Sequence, residues 1–175
     1  MSELPISSLP LASLTTLLFD IDGVLTDGQV LTLETGIVRN MNIKDSYALQ
    51  YAVRQGYRIG IISGGSGIGV KERLAELGVA HIMVHAHHKV KSFENFMQQH
   101  NLKQEEVLYM GDDMPDIPLF ERVGVSVAPS DAGSDAMRAA DWVTQLAGGR
   151  GAVREVLETI MKVQGKWYSE AAFTW

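Results

Sequence analysis

The sequence predicts an α/β fold built on a doubly wound, mostly parallel sheet, and three observations carry that prediction. Short apolar runs alternate with segments of helical period along most of the chain. Several helical segments stop at a glycine, so each is a closed element and not part of a longer helix. The chain of 175 residues, 46% of them apolar, has no internal repeat, low-complexity run or interdomain linker, so one domain over 1–175 is expected. Alternating strands and helices require right-handed crossovers and a sheet covered on both faces.

The elements follow in order. Thr16-Leu-Leu-Phe19 is short, apolar and followed by an acidic, glycine-containing turn, as a buried strand would be. Gln29 to Arg39 then carries β-type residues on either side of Glu34-Thr35-Gly36, which predicts a hairpin over about 28–41, before any helix. Leu49, Ala52 and Val53 have helical spacing, with Asp45 or Ser46 as candidate N-caps and Gly56 as the stop. Arg58 to Ile62 is the second strand. Val70, Leu74 and Leu77 form a helix ending at Gly78, and Ile82 to Val84 the third strand. Val90, Phe93, Phe96 and Met97 share a helix face opened by Lys89. Strands follow at Val107 to Met110 and Val123 to Val127. Val153, Val156, Leu157, Ile160 and Met161 complete the set as the cleanest amphipathic helix, closed by Gly165. The aromatic end over about 166–175, with Trp167, Tyr168, Phe173 and Trp175, is expected to dock on a neighbouring subunit or to fray.

Composition excludes several functions. A formal net charge of −6 without a basic stripe argues against nucleic acid. The absence of cysteine removes disulfides, thiolate metal sites and cysteine nucleophiles, and fits a reducing compartment. No apolar run is long enough for a membrane span. The first sixteen residues carry Glu3 and no Lys or Arg, unlike a signal peptide. A cytoplasmic protein without membrane contact is the expectation.

Chemistry gathers where parallel sheets bind ligands, beyond the carboxyl ends of their strands. After the first strand, Asp20, Asp22 and Asp27 crowd three carboxylates into eight residues, a repulsive arrangement unless a cation compensates. Ser63 and Gly64 follow the second strand and could seat an anion. Lys89 follows the third. Asp112, Asp113 and Asp116 follow the fourth, with Pro115 near a helix start. Each piece alone is explained by ordinary capping or a solvated surface. Four adjacent strand ends delivering carboxylates, an anion seat, a cation and more carboxylates are better explained by one site. His85, His87 and His88 lack a local carboxylate, which argues against zinc, and the methionines are simplest as core filler.

In its order Asp-x-Asp-Gly-Val-x-Thr, Ser-Gly, Lys, Gly-Asp-Asp-x-x-Asp, the chain resembles the haloacid dehalogenase superfamily of phosphotransferases. More specifically, it is similar to 3-deoxy-D-manno-octulosonate 8-phosphate (KDO 8-phosphate) phosphatases, through Asp27-Gly28, Asn42-Ile-Lys-Asp45, the hairpin and Ala147-Gly-Gly-Arg-Gly-Ala-Val-Arg-Glu155. That resemblance implies a Rossmann-like, capless domain with the hairpin as a flap. It also implies a Mg²⁺-dependent phosphomonoesterase of lipopolysaccharide precursor synthesis that acts on a phosphorylated sugar acid. Asp20 would be the nucleophile and Asp22 the general acid and base. Ser63 and Lys89 would hold the phosphoryl group. Asp20, the Asp22 carbonyl and Asp112 would hold Mg²⁺, with Gly64, Asp113 and Asp116 in support, and Arg73 and Arg150 are candidates for the sugar acid. The gaps between motifs have no room for a cap domain, and the family implies a homotetramer whose hairpins pack together. Where many relatives carry Arg directly after the Ser-Gly pair, this chain has Gly65. Nine-carbon sugar-acid 9-phosphates (KDN or sialic acid) therefore stay open as substrates, and a non-catalytic oligomerisation module is the alternative of another class.

Overall fold

A computed structural model describes residues 5–174 of the chain. Glu3 and Trp175, each named above in a terminal segment, lie outside them.

Six parallel strands form the sheet: β1 (Thr16–Phe19), β4 (Arg58–Ile62), β5 (His81–Met83), β6 (Val107–Met110), β7 (Val125–Ala128) and β8 (Trp142–Val143). Their spatial order is β5-β4-β1-β6-β7-β8. The chain runs outward from β1 through β4 to β5, then crosses back to lay β6 on the other side of β1. That reversal opens a crevice above the carboxyl end of β1, where a doubly wound sheet takes its ligand. Four of the six strands match their sequence-predicted spans to within a residue. Val123 and Gly124 precede β7, and β8, only two residues long, has too little pattern to be seen in advance.

Both faces are buried, so β1, β6 and β7 are buried along their whole length instead of alternating with exposed positions. Leu17 and Phe19 point to one face, where they pack with Leu49, Leu74, Val156 and Leu157. Those residues belong to α1 (Ile43–Arg54), α2 (Val70–Glu76) and α6 (Ala152–Val163). Leu18, Ile62 and Tyr109 point to the other, against Phe93 and Phe96 of α3 (Lys89–His100) and Leu119 of α4 (Ile117–Phe120). α5 (Ser134–Ala139) lies beside α4 and β7. Pro115 marks the helical start that leads into α4, whereas α5 gave no sign in the sequence because it is too short to show a helical repeat.

The hairpin is present as a separate two-stranded sheet, β2 (Leu31–Leu33) and β3 (Gly36–Val38), with Leu31 opposite Val38 and Leu33 opposite Gly36. It does not fold its apolar side onto its own domain: Val30, Leu31 and Leu33 remain 48%, 60% and 46% exposed. The aromatic end does the reverse. Residues 166–174 turn back onto α1, where Tyr51 donates to the Lys166 carbonyl (2.9 Å), Tyr47 to the Ala172 carbonyl, and Arg54 to the Thr174 carbonyl (2.7 Å). Trp167 sits edge-on to Tyr51 and under the Arg154 guanidinium. The described part of this segment is not frayed, because Tyr47, Tyr51 and Arg54 of the same chain satisfy its carbonyls.

The start of α1 also corrects the sequence reading. Asn42 is the N-cap, accepting from the Lys44 amide (2.8 Å), and Asp45 lies one turn inside. The Asp45 carboxylate instead accepts from the Gly151 (3.2 Å) and Arg154 (2.7 Å) amides and so caps α6. A capping argument confined to neighbouring residues cannot find a cap donated across the fold. Burial raises the Asp45 pKa from its ordinary value, a cost those two amide bonds offset only in part. Asp45→Ala orphans both amides and is expected to destabilise the protein by about 1–3 kcal/mol, read as a lower urea midpoint at unchanged slope.

Candidate active site

The loop after β1 aims two carboxylates in different directions. The Asp20 amide continues the ladder to the Met110 carbonyl (3.0 Å), which fixes the residue at the strand tip. Its Oδ1 accepts from the Ile21 amide (2.6 Å), and Oδ2 accepts from Lys89 Nζ (2.6 Å). Beyond it, the amides of Val24, Leu25 and Thr26 converge on the Ile21 carbonyl and tighten the turn. Gly23 is required there. Its φ of +75° is left-handed, and a Cβ would lie 2.0 Å from Asp112 Oδ2.

Lys89 is buried at the start of α3 and bridges Asp20 and Asp116, with 2.6 Å to each. Burial alone would lower its pKa, but the two carboxylates outweigh burial and the net direction is upward, so the ammonium stays charged. Asp116 is saturated. Its Oδ1 accepts from Lys89 and from the Tyr109 hydroxyl (2.5 Å), and its Oδ2 from the amides of Asp112 (3.0 Å) and Asp113 (3.3 Å). This carboxylate therefore orients its neighbours. Asp112 differs, because no hydrogen bond among the described residues occupies its carboxylate. Burial, then Asp116 and Asp20, push it up to about 7. Burial likewise raises Asp20, with Lys89 opposing and Asp116 adding to the rise.

Ser63 closes β4, buried, with its amide on the Met83 carbonyl and no partner for Oγ among the described residues. Asp20, Asp22, Ser63, Gly64, Lys89, Asp112, Asp113 and Asp116 all line one cavity of about 640 Å³, together with His87 and His88. Asp113 is exposed at its rim and caps the turn at Met114 (2.8 Å). The remaining candidates lie elsewhere. Arg73 pairs with Glu76 on α2 (3.3 Å) and Arg150 with Asp27 (2.9 Å), and neither lines the cavity. His85 meets Ser66 Oγ (3.1 Å) from a left-handed backbone.

Two site residues escaped the sequence reading. Tyr109 sits mid-strand in an apolar run and is indistinguishable there from core. Arg39 follows β3 and places both Nε (2.5 Å) and Nη2 (2.9 Å) on the Asp22 carboxylate. No local motif announces a contact seventeen residues away in sequence.

The donor set suits a hard divalent cation. One oxygen from each of Asp20, Asp112 and Asp116 lies within 4.8 Å of the others, and no nitrogen or sulfur ligand is among them. With Asp116 saturated, Asp20, Asp112 and the Asp22 carbonyl would hold the ion. That carbonyl accepts no hydrogen bond among the described residues. Magnesium, which keeps waters and takes one or two carboxylates, fits. Asp112 binds a cation only when ionised, and its rise from the ordinary 3.8 to about 7 makes that form costly in the cation-free fold. Without cation, this group's contribution to stability is therefore present at low pH and lost as pH climbs toward about 7. Mg²⁺ relieves the repulsion, so it is expected to raise Tm more at about pH 8 than at about pH 6. Thermal melts with and without Mg²⁺ at both values check this, and a larger gain on the acid side would contradict it.

Comparison with known proteins agrees with this geometry. The family model for haloacid dehalogenase-like hydrolases matches residues 75–157. The 3-deoxy-D-manno-octulosonate 8-phosphate phosphatase of Escherichia coli is 38% identical over 151 residues, 86% of this chain and 80% of that protein. The crystal structure of the Yersinia pestis enzyme of the same name superposes with a TM-score of 0.87 at 31% identity, covering 90% of this chain and 86% of that one. A Moraxella catarrhalis 3-deoxy-D-manno-octulosonate 8-phosphate phosphatase, solved with magnesium ion, phosphate ion and KDO, gives a TM-score of 0.86 at 28% identity, over 90% and 91% of the two chains. The extent of these matches, added to motifs that meet at one strand-tip cavity, means that the chain belongs to the 3-deoxy-D-manno-octulosonate 8-phosphate phosphatases within the haloacid dehalogenase-like hydrolases.

Proposed function

We propose that this protein is a Mg²⁺-dependent phosphatase that hydrolyses KDO 8-phosphate through an aspartyl-phosphate on Asp20, in lipopolysaccharide precursor synthesis. The observation that supports it best is the meeting of Asp20, Ser63, Lys89 and Asp112 at one cavity from four strand ends. Asp20 Oδ1 or Oδ2 attacks phosphorus and displaces the sugar oxygen, with Asp22 giving that oxygen its proton. Asp22 then takes a proton from water as the water attacks phosphorus, which frees Asp20 and releases inorganic phosphate. Ser63 Oγ and the Gly64 backbone seat the phosphoryl oxygens, while Lys89, held by Asp116 and Tyr109, offsets charge on both nucleophile and phosphoryl group. Bound Mg²⁺ lowers the like-charge barrier between carboxylate and phosphate. Asp113 would support the Asp112 side of the site, and Arg73 and Arg150, which lie outside the cavity, would meet the distal sugar acid.

Residues 1–175 are taken as a single catalytic unit without a cap, and the cavity needs another body to exclude water. The exposed apolar side of the hairpin supports a second copy in that role, and hence a homotetramer with the hairpins as shared flaps. A cytoplasmic site of action is supported by the absence of cysteine. Among the described residues no helix is long and apolar enough to cross a membrane. Gly65, where many relatives carry Arg, leaves a second reading open, in which a related sugar-acid 9-phosphate is the substrate.

A phosphate-release screen over phosphorylated sugars and sugar acids, with and without EDTA, tests this. Metal-dependent release confined to KDO 8-phosphate is expected. Preference for a 9-phosphate selects the second reading, and no release from any substrate leaves an oligomerisation module. Light scattering giving a 19.2 kDa particle would remove the shared flap.

A further inference from the structure

The Arg39 guanidinium is buried among the catalytic loops although its backbone belongs to the hairpin. Its side chain is 5% exposed. Nε and Nη2 hold the two oxygens of Asp22 at 2.5 and 2.9 Å, and Nη1 donates to the Ser66 carbonyl at 2.6 Å. Two glycines make the room. A Cβ on Gly65 would lie 2.9 Å from Arg39 Nη2 and 2.9 Å from Asp22 Oδ2, and one on Gly67 would lie 2.4 Å from Nη1. The loop after β4 thus gives up side chains where the fork enters. The Ile68 amide adds a bond to the Ile37 carbonyl (3.1 Å), so hairpin and loop are also tied two residues before Arg39.

We propose that Arg39 is a positioning residue that orients the Asp22 carboxyl group, which in its protonated form gives its proton to the leaving sugar oxygen and becomes the carboxylate. This rests on the reading of Asp22 as general acid. Asp22 has no other side-chain partner among the described residues, and its side chain is 37% exposed, so without the fork it is free to rotate into solvent. A bidentate pair fixes both carboxylate oxygens in one plane, which a lone ammonium cannot do. Because Arg39 does not line the cavity, it touches Asp22 and not the substrate. Its loss therefore falls on the step that needs a positioned acid and not on binding.

Leaving-group chemistry separates these effects. A sugar alkoxide needs a proton as it departs, whereas p-nitrophenolate does not, and kcat/KM reports the steps up to that departure. Arg39→Met is expected to lower kcat/KM for KDO 8-phosphate about 10–100-fold and for p-nitrophenyl phosphate less than about 3-fold, with Arg39→Lys in between. In the Asp22→Asn background, Arg39→Met should add almost nothing for either substrate. Equal losses on both substrates, or a loss that persists undiminished in the Asp22→Asn background, would overturn the proposal. No loss on either substrate overturns it too. Should Arg39→Met fail to fold, Arg39→Lys carries the same comparison. Asp22→Asn keeps the two ideas apart. If it shows the leaving-group split and the Arg39 variants do not, positioning fails while the acid stands; if it shows no split, the reading of Asp22 itself fails.

Discussion

Asp20→Asn is expected to fold normally and to lose phosphate release by at least about 10⁴-fold, the scale seen when a covalent nucleophile is removed. The amide oxygen can still accept from the Ile21 amide, and the buried cluster loses one of its like charges, so no large loss of stability accompanies the change. Lys89 keeps Asp116 as partner. Steady-state phosphate release, alongside a melting curve, checks both halves. Residual turnover of more than a few per cent in a folded variant would take the nucleophile's role away from Asp20.

Lys89→Ala is expected to be the most destabilising single change in the site, at about 3–5 kcal/mol, because it leaves buried carboxylates without their cation. The penalty comes from stranded charge more than from lost attraction. Burial already raises Asp20 and Lys89 opposes that rise, so without Lys89 its pKa climbs further; the penalty is present where the stranded carboxylate is ionised and shrinks as acid protonates it. Urea titrations at about pH 8 and about pH 5 should therefore show a smaller difference from the parent protein at the lower value. A loss below about 1 kcal/mol at the higher pH would mean that the Asp20–Lys89–Asp116 bridge is not a buried ionic network.

Much of this was visible in the sequence, for a physical reason. A parallel sheet buried on both faces writes its strands as apolar runs, and its ligand site must follow their carboxyl ends. Asp20, Ser63, Lys89 and Asp112 are each adjacent in sequence to the strand or helix that positions them, so strand order alone brings them together. What stayed hidden depends on contacts across the fold. Arg39 reaches Asp22 from the hairpin into space vacated by Gly65 and Gly67, and glycine spacing does not say which side chain will fill the gap. Tyr109 shares its burial with every neighbour on β6, so its hydroxyl's bond to Asp116 leaves no trace in the pattern. Asp45 occupies a position where a local cap was expected and instead caps a helix more than a hundred residues away. β8, with two residues, is a strand only because β7 is already there to pair with it.

Covalent capture on Asp20 tests the mechanism most directly. Asp22→Asn turning over p-nitrophenyl phosphate can form the acyl phosphate, since that leaving group needs no acid. It lacks the base that would activate water against it. Rapid acid quench followed by peptide mass spectrometry should find a phosphoryl group on the peptide that contains Asp20, in amounts approaching one per chain. Phosphate release through a folded enzyme with that peptide unmodified would contradict the assignment.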